Sequence, residues 1–492
     1  MCLFLKTGKS SYSGFQNLLH CKYTGRQVNK NQGGAIVASN NKTPFENLYK
    51  PPDGKIDVPE FVNYLKENTP YLVSNGNLYL WNQDHRCFLL MRRMDIPPWI
   101  ISKIDKSVSV PSSAINEVTK HLIWAPERQK NLESLRQNSQ FYINANNGVI
   151  DIRDGKFCTN EEAEKLALNS GFTYQLDFSY NSEAKMEQAQ AFQKFVETSL
   201  DSGSDPDKLN LLLEIIGICI SSVMIARKFY FFVGATKSCK SVIADLIQSV
   251  VFPETSVTAF GLNQLGARFN TQHLEYSRIN ICRELTAGKL TGTDILKMLV
   301  SDEPLFVEGK GKEGYVAHIH TKLLTCANQM PLFGEMDAAG NQSMTDRMVV
   351  LRFNHTISEN EMDRHLPEKL HKERDIIFSL AVKALMELHG RDYIFTAPSD
   401  TRELMQSYLH ESRSLALFIE ERCQMSGEVH ISVFIEVYKK FCTENALVSY
   451  KNNEVSAYIA NCFPAVRKEK FRIDGKYLWG WRGISLSADG NL

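Results

Sequence analysis

The stretch FYFFVGATKSCKSVIADLIQSVV, at residues 229–251, constrains the fold of this chain more than any other. An apolar run typical of a strand comes first, and a segment with apolar residues at helical spacing follows, opened by Lys240 and Ser241. The loop between them consists of Gly234, Ala235, Thr236, Lys237, Ser238 and Cys239. A buried strand that leads directly through a loop into a helix is typical of α/β sheets, so an α/β fold is predicted.

This loop has the chemistry of a phosphate-binding loop. The backbone N–H groups of such a loop, together with the positive end of the helix dipole, cradle phosphates. A lysine reaches the β- and γ-phosphates, and a serine hydroxyl binds Mg²⁺. Lys240 and Ser241 stand at those two positions, so ATP and Mg²⁺ are the expected cofactors. The alternative is a chance Lys-Ser pair at a helix start, which the apolar strand and Gly234 disfavour.

Cys239 stands where phosphate-binding loops usually carry a second glycine. Glycine adopts a positive φ easily, whereas cysteine does not. A small side chain is therefore expected to be tolerated there if the native φ is negative. A thiol beside the phosphates is also predicted to make ATP hydrolysis sensitive to alkylation or oxidation.

Further apolar strands follow the loop, with polar residues at their ends. RINIC leads into Arg283 and Glu284, KLLTCAN ends in Asn328, and Arg347 precedes MVVLRF. Phosphoryl transfer needs an acid that holds Mg²⁺ or positions the attacking water, a polar residue that senses the γ-phosphate, and a cation that offsets developing charge. Glu284, Asn328 and Arg347 are the candidates for these roles. Taken alone, Glu284 is better explained as a solvated strand-end residue, but the order and spacing of the three favour the functional interpretation.

The whole chain is predicted to divide into four segments. Residues 1–55 are rich in Asn, Gly, Lys and Ser and are predicted to be a flexible lead-in. Residues 56–185 contain hairpin patterns and two helical stretches, which predict an α+β domain. Residues 186–395 hold the α/β segment. Residues 396–492 are predicted to form three helices and a hairpin that turns at Asp474-Gly475, the pattern of a winged helix.

The most apolar stretch, LNLLLEIIGICISSVMIA at residues 209–226, is predicted to be a buried helix. Asn210, Glu214 and several serines interrupt it, which disfavours a membrane span. The apolar run at the N-terminus is too short for a signal sequence. The 11 cysteines include no CxxC pair, which indicates a reducing compartment without a disulfide framework. A cytoplasmic protein with no membrane partner is therefore expected.

The chain has no net charge, because its 56 Lys and Arg residues balance its 56 Asp and Glu residues. Any contact with nucleic acid is therefore expected to come from local basic patches. One patch is the tip of a predicted hairpin that carries Lys310 and Lys312 between glycines. It is predicted to grip phosphates of single-stranded DNA, and a solvated hairpin tip is the alternative.

The second basic patch is the C-terminal hairpin. Its proposed DNA contacts are Arg467, Lys468, Lys470 and Arg472. The same hairpin carries Lys476 and Arg482, and Tyr477, Trp479 and Trp481 are interleaved between those two cations. A basic wing of this kind is typical of duplex DNA binding. A packing or ring-organising module whose tryptophans are core is an equally weighted alternative.

These motifs, in this order, resemble those of superfamily 3 helicases of the phage, plasmid and poxvirus primase-helicase type. The matching segments are Lys240-Ser241, INICRE, DILKMLVSDEP, FVEGKGKEGYV, LLTCANQMP and DRMVVLRF, within residues 185–355. The resemblance implies a P-loop AAA+-like ATPase core that assembles as a ring hexamer. In such a ring one subunit contributes Lys240, Ser241, Glu284 and Asn328, and the next contributes Arg347. Lys297 matches a family position at the shared interface, and an ordinary helix-surface lysine is the alternative.

The resemblance implies an ATP-dependent replicative DNA helicase of a mobile genetic element, moving on single-stranded DNA. Two alternatives stay open: an ATP-binding origin-recognition or assembly protein with little turnover, and a P-loop ATPase of DNA packaging or another remodelling task. The expected partners are single-stranded DNA, origin duplex DNA, further copies of the chain and a separate primase. A separate primase is expected because residues 1–185 carry no acidic metal-binding triad in a strand setting.

Overall fold

The computed structural model describes residues 48–487, except for 286–288, 291–293, 311–312, 334–343, 359, 413, 446, 448 and 474. The predicted flexible lead-in at 1–55 therefore lies almost entirely outside the described residues. Contacts between Cα atoms divide the chain into two units. One combines the chain up to Asn68 with Arg92–Leu122, and the other combines Thr69–Met91 with the chain from Ile123 onward.

The first unit is built from helices α1 (Val58–Asn68), α2 (Ile96–Ser102) and most of α3 (Ser112–Trp124). The sequence predicts one long helix at 111–137, but α3 ends at Trp124. Pro126 is the cause, because a proline disfavours the helical conformation of the residue before it, and Ala125 is extended at ψ 111°. The chain becomes α-helical again in α4 (Leu132–Ser139), which the Asn131 side chain caps.

The second unit begins with an antiparallel sheet of β1 (Tyr71–Ser74), β2 (Asn77–Asn82) and β3 (Cys87–Leu90). The sequence predicts a hairpin turn at Ser74-Asn75-Gly76, and the turn between β1 and β2 confirms it. Asn75 and Gly76 have φ values of 49° and 67°, as the two-residue turns that match strand twist require.

A second sheet has the strand order β6-β5-β4-β7-β9. Its strands are β4 (Tyr142–Ala145), β5 (Gly148–Asp151), β6 (Phe157–Cys158), β7 (Gln175–Leu176) and β9 (Val251–Phe252). The helices that follow β6 are α5 (Asn160–Ser170), α6 (Gln190–Ser199) and α7 (Asp207–Ile220). Because β9 lies beyond the boundary expected near residue 185, the two segments share a sheet. The sequence-based domain boundaries stay predictions.

The central sheet is parallel, with the order β10-β11-β15-β8-β17. Its strands are β8 (Phe229–Gly234), β10 (Val257–Thr258), β11 (Ile279–Cys282), β15 (Lys322–Ala327) and β17 (Met348–Phe353). The four longer strands are those that the sequence predicts, and the mixed α/β fold is confirmed.

Both faces of β8 are buried. Tyr230 and Phe232 lie in an apolar cluster that includes residues of α7, α8 (Lys240–Ser249) and α12 (Arg374–Gly390). Phe229, Phe231 and Val233 lie in a second cluster, with residues of α9 (Asn270–Tyr276) and α10 (Asp294–Ser301). Burial on both faces explains why β8 is a continuous apolar run rather than an alternating one.

The remaining elements between β11 and α12 are short. They are β12 (Lys289–Leu290), β13 (Leu305–Val307), β14 (Tyr315–Ala317), β16 (Leu332–Phe333) and α11 (Leu366–Lys372). Strands β13 and β14 pair antiparallel and form the predicted hairpin.

The described residues of the C-terminal segment form four helices, one more than the three predicted, and two antiparallel sheets. The helices are α13 (Ser399–Ser412), α14 (Ser414–Arg422), α15 (Ile431–Glu444) and α16 (Asn452–Cys462). The strands are β18 (Cys423–Gln424), β19 (Glu428–His430), β20 (Arg467–Ile473), β21 (Lys476–Arg482) and β22 (Ser485–Leu486). The three-stranded sheet has the order β19-β21-β20. The predicted helices and hairpin are present, and the assignment to the winged-helix fold stays a prediction.

Helix α7 confirms that the most apolar stretch of the sequence is a buried helix. No helix in the described part of the chain is long and apolar enough to cross a membrane. The carboxylate of Glu214 is buried in α7 and accepts hydrogen bonds from Arg391 Nη2 at 2.5 Å and the Thr396 backbone N–H at 2.9 Å. Buried carboxylates need such donors, so Glu214 fastens the segment after α12 to the core.

We expect Glu214→Ala to lower the free energy of unfolding by about 3 kcal/mol, because hydrogen bonds to a charged group are lost and the Thr396 N–H loses its acceptor. Glu214→Gln keeps an acceptor and should cost less. Glu197→Ala, which removes an exposed carboxylate on α6, is the matched control and should change stability by less than about 0.5 kcal/mol. Chemical denaturation checks the ranking, and equal effects of the two alanine variants would contradict it.

Candidate nucleotide-binding site

Gly234 ends β8 and begins the candidate loop. A Cβ atom at this position would lie 2.3 Å from the Phe353 carbonyl oxygen on the adjacent strand β17. Only glycine fits so close an approach of two backbones. The loop is also fastened from the other side, because the Ile357 N–H donates to the Lys237 carbonyl oxygen at 3.0 Å. The loop is therefore tied to the segment that follows β17.

Two residues of the loop have left-handed backbones. Lys237 has φ 65° and Cys239 has φ 63°, and Cys239 directly precedes α8. The condition under which a cysteine would be tolerated without strain, a negative φ, is therefore not met. Turns of this kind aim backbone N–H groups into one concavity, and α8 adds the positive end of its dipole. The loop geometry suits a phosphate group even though the glycine usual at position 239 is missing.

The side chain of Lys240 is folded into the loop and is only 7% exposed. Its Nζ donates to the carbonyl oxygens of Gly234 and Ala235, both at 2.7 Å, and to Ser238 Oγ at 3.0 Å. Burial lowers the pKa of the Lys240 ammonium, while the neighbouring thiols of Cys326 and Cys239 act in the opposite direction. A phosphate would offer this ammonium a stronger, charged acceptor than the carbonyls.

Glu284 and Asn328 lie at the same edge of the sheet as the loop. Both are exposed; Glu284 follows β11, and Asn328 follows β15. Strand β15 pairs with β8 on one side and β11 on the other, and Ala327 is level with Val233. Because carboxyl ends of parallel strands meet at one edge, the structure brings Glu284, Asn328 and the loop together.

Arg283 directly precedes Glu284, and the structure gives it a role in holding the fold together. Its Nε donates to Asp245 Oδ1 of α8 at 2.8 Å, and its Nη2 contacts the Gln248 side chain. Arg283 thus fastens β11 to α8. The sequence did not predict this pair, because no spacing rule connects two residues on different elements.

Arg347 lies at the opposite edge of the sheet. It directly precedes β17, and its Nη2 donates to Ser301 Oγ of α10 at 3.3 Å. Strand β17 runs beside β8 from Met348 to Phe353, so Arg347 lies about 20 Å from the loop edge. The half-buried Lys297 lies one helical turn before Ser301 on the same face of α10. The structure therefore separates Arg347 from the loop of its own chain.

Magnesium would have few protein ligands here. No group of three or more His, Cys, Asp or Glu residues suited to a metal occurs within the described ranges. Mg²⁺ that is bound through phosphates needs only one or two side chains and keeps waters. Ser241, exposed at the start of α8, and Glu284 fit that sparse donor set.

The candidate DNA-contacting hairpin, β13–β14, presents Lys310 at its exposed tip. Lys312, the second predicted contact, lies outside the described residues. Phe306 and Val316 face each other across the two strands and are 61% and 66% exposed. The sequence does not reveal this exposed apolar pair, because alternation alone does not tell which face of a short hairpin is covered.

The basic C-terminal hairpin divides its aromatic residues between core and surface. Trp481 is buried against Phe434, with ring centroids 5.1 Å apart, whereas Tyr477 and Trp479 are exposed. The four predicted DNA contacts are all exposed: Arg467, Lys468, Lys470 and Arg472. Of the two tryptophans in this hairpin, Trp481 is therefore part of the core, as the alternative interpretation expects, and Trp479 is not.

Comparison with known families gives two partial matches. A family of unknown function, DUF5906, matches residues 232–344, and a family described as D5 N terminal like matches residues 75–200. The second match supports, for that segment, the expected relationship to phage-type primase-helicase replication proteins. No curated protein matches the chain.

Among solved structures, the A-form apo structure of the NrS-1 C terminal region has 11% identity and a TM-score of 0.44. The matched region includes 85% of the present chain and 97% of the NrS-1 chain. A second apo structure of the NrS-1 C terminal region has 11% identity and a TM-score of 0.42. Its matched region includes 86% of the present chain and 98% of the NrS-1 chain. Likeness at this level does not establish a shared activity.

Replacing Cys239 tests the backbone strain. Cys239→Gly and Cys239→Ala both remove the thiol, but only glycine adopts a positive φ without steric cost. After allowance for the greater freedom of glycine in the unfolded chain, we expect the glycine variant to be more stable than the alanine variant by about 1 kcal/mol. Denaturant midpoints of the two variants measure the difference, and an alanine variant at least as stable as the glycine variant would refute the strain.

The reactivity of Cys239 follows from its surroundings. Burial raises the pKa of the Cys239 thiol above its usual range, and the Lys240 ammonium offsets only part of that rise. Because the thiolate is the reactive form, iodoacetamide should modify Cys239 slowly at pH 7 and faster as the pH rises above 9. Peptide mass spectrometry measures the rate. Rapid labelling at pH 7 would instead support the sensitivity to alkylation that the sequence suggests.

Proposed function

We propose that this protein is an ATP-hydrolysing DNA motor of the superfamily 3 type, with a P-loop AAA+-like core. Its role would be that of a replicative helicase of a mobile genetic element. The observation that carries the proposal is the meeting of the loop, Glu284 and Asn328 at the carboxyl edge of the parallel sheet. Those groups, in that order, are what phosphoryl transfer requires.

Each residue at this edge has a distinct task in the proposed reaction. The bound nucleotide supplies a transferable γ-phosphoryl group, with Mg²⁺ as its counter-ion. Lys240 would exchange the carbonyl oxygens of Gly234 and Ala235 for phosphate oxygens, and Ser241 would hold Mg²⁺. Glu284 would orient the attacking water and accept its proton, while the Asn328 amide would hydrogen-bond the γ-phosphate.

The distance of Arg347 from its own loop supports assembly into a ring. A side chain about 20 Å from the site cannot reach the phosphates, so Arg347 can offset their charge only from a neighbouring subunit. Head-to-tail contacts that close on themselves give such a ring. We propose a homo-hexamer in which Lys297 and Arg347 of one subunit face the loop of the next.

The DNA contacts follow from the exposed cations. Lys310 at the hairpin tip, together with Lys312 two residues later in the sequence, would hold phosphates of single-stranded DNA in the ring channel. Arg467, Lys468, Lys470 and Arg472 would add contacts from a C-terminal winged helix. Origin duplex DNA and a separate primase complete the proposed partners, in the cytoplasm of a host cell.

One observation favours the alternative of an ATP-binding initiator with little turnover. Arg283 pairs with Asp245, and β11, Ile279–Cys282, carries no acidic residue that could act beside Glu284. With a single acid for the metal and the water, slow hydrolysis is expected in this alternative, and ring assembly on DNA would be the function.

The proposal predicts an ATPase that single-stranded DNA stimulates. Lys240→Ala should abolish nucleotide-dependent turnover, and Glu284→Gln should lower kcat by about 100-fold or more through loss of the base. Glu161→Gln, which neutralises an exposed acid in the first turn of α5, is the matched control and should keep wild-type turnover. Phosphate release and strand displacement from a forked substrate are the measurements.

A wild-type protein that binds ATP and DNA but neither releases phosphate nor displaces a strand would overturn the helicase proposal and favour the initiator. Turnover that survives Lys240→Ala would place the nucleotide elsewhere and overturn both.

A further inference from the structure

One face of the C-terminal hairpin combines exposed aromatic rings with cations. Strands β20 and β21 pair antiparallel, with Lys470 opposite Trp479 and Arg472 opposite Tyr477. Directly opposite residues project from the same face of a sheet, as do residues two apart. We call this surface the wing face and define it by Lys468, Lys470, Arg472, Tyr477 and Trp479.

The aromatic rings of the wing face are presented to solvent. Trp479 is 52% exposed and Tyr477 is 66% exposed. The ammonium groups of Lys470 and Lys468 lie over the Trp479 ring, 5.3 Å and 5.9 Å from its centroid. Such cation–π contacts hold the lysines beside the ring but give little stability at an exposed site. A single exposed ring is ordinary, but two exposed rings beside cations form one continuous surface that suits a flat, negatively charged ligand.

The base of the hairpin is packed into the C-terminal core. Trp481, two residues beyond Trp479, is buried in the C-terminal core and packs edge-on against Phe434. Arg482 donates to Glu428 at 3.0 Å and pairs with Glu469 at 3.1 Å. At the turn, Arg472 Nε donates to the Gly475 carbonyl oxygen at 3.1 Å. Trp479 is thus held on a preorganised strand, and binding there costs little ordering entropy.

We propose that the wing face binds single-stranded DNA, with unpaired bases stacked on Trp479 and Tyr477 and phosphates held by Lys468, Lys470 and Arg472. Flat aromatic rings beside cations are how proteins hold single strands without reading their sequence. The inference rests on the proposed function only in taking DNA as the partner, and it requires neither ATP hydrolysis nor the hairpin β13–β14.

The composition of α16 favours a single strand over a duplex. A helix that enters the major groove usually carries cations for phosphates and base edges. Within α16, Asn452–Cys462, the one charged residue is Glu454. The positive charge of the C-terminal segment lies on the wing instead, next to rings whose faces can stack only on bases that are not already paired.

The test is fluorescence anisotropy with labelled oligo(dT) and, separately, a labelled duplex, using the full chain without nucleotide. Trp479→Ala should weaken oligo(dT) binding roughly 5- to 150-fold, the loss expected for one stacked base. Trp124→Ala is the matched control, because Trp124 is also exposed, at 69%, and it should bind as the wild type does. Trp479→Phe should restore most of the affinity, which a purely electrostatic role of the wing would not predict.

A salt titration separates phosphate contacts from stacking. Lys470→Gln should reduce the slope of log affinity against log salt by about 0.7 for a single strand, while Trp479→Ala should leave the slope unchanged. Binding that is equally weakened for duplex and oligo(dT) by Trp479→Ala would identify a duplex contact and overturn the inference. Unchanged oligo(dT) affinity would overturn it too, as would a changed oligomeric mass, which would show the face to be a contact between copies.

ATPase turnover tests the proposed function separately from DNA binding by the wing face. Trp479→Ala should leave turnover without DNA at the wild-type level, and Lys240→Ala should leave the Trp479-dependent binding intact. If the wild type has no ATPase but loses oligo(dT) on Trp479→Ala, the proposed function fails while the wing inference stands.

Discussion

The pairing of β8 with β15 on one side and β17 on the other is the constraint on which the rest of the structure depends. These backbone hydrogen bonds, with apolar residues buried on both faces of β8, fix where the strand ends. Its end at Gly234 determines where the loop begins, and the neighbouring strands determine which polar groups stand beside it. Glu284 and Asn328 reach the loop edge only because β11, β15 and β8 are parallel and adjacent.

Much of this architecture was predictable, because its signals are local. Continuous apolar runs identify the buried parallel strands, and Asn75-Gly76 identifies a tight hairpin turn. Other features depend on tertiary contacts that no sequence pattern encodes. The positive φ of Cys239 follows from the path between a fixed strand and a fixed helix, and β9 joins a sheet whose other strands precede the loop. Only exposure separates Trp479 from Trp481, because the two lie two residues apart on β21 and project from the same face of the strand.

The two edges of the central sheet divide the proposed chemistry between subunits. Groups at the carboxyl edge would bind the proposed nucleotide in their own chain, whereas Arg347 lies at the amino edge and donates to Ser301. A motor built in this way couples hydrolysis to assembly, since each site is complete only at a contact between copies. The wing, fastened through Trp481, would engage DNA independently of that cycle.

Mixing two inactive variants tests the central claim most directly. Lys240→Ala removes the loop cation and Arg347→Ala removes the cation supplied by the neighbour, so each homogeneous ring should be inactive. In an equimolar mixed ring, about a quarter of the contacts join an intact loop to an intact arginine, so about a quarter of wild-type ATPase should return. A mixture as inactive as its components would contradict the account, as would an Arg347→Ala protein with wild-type turnover.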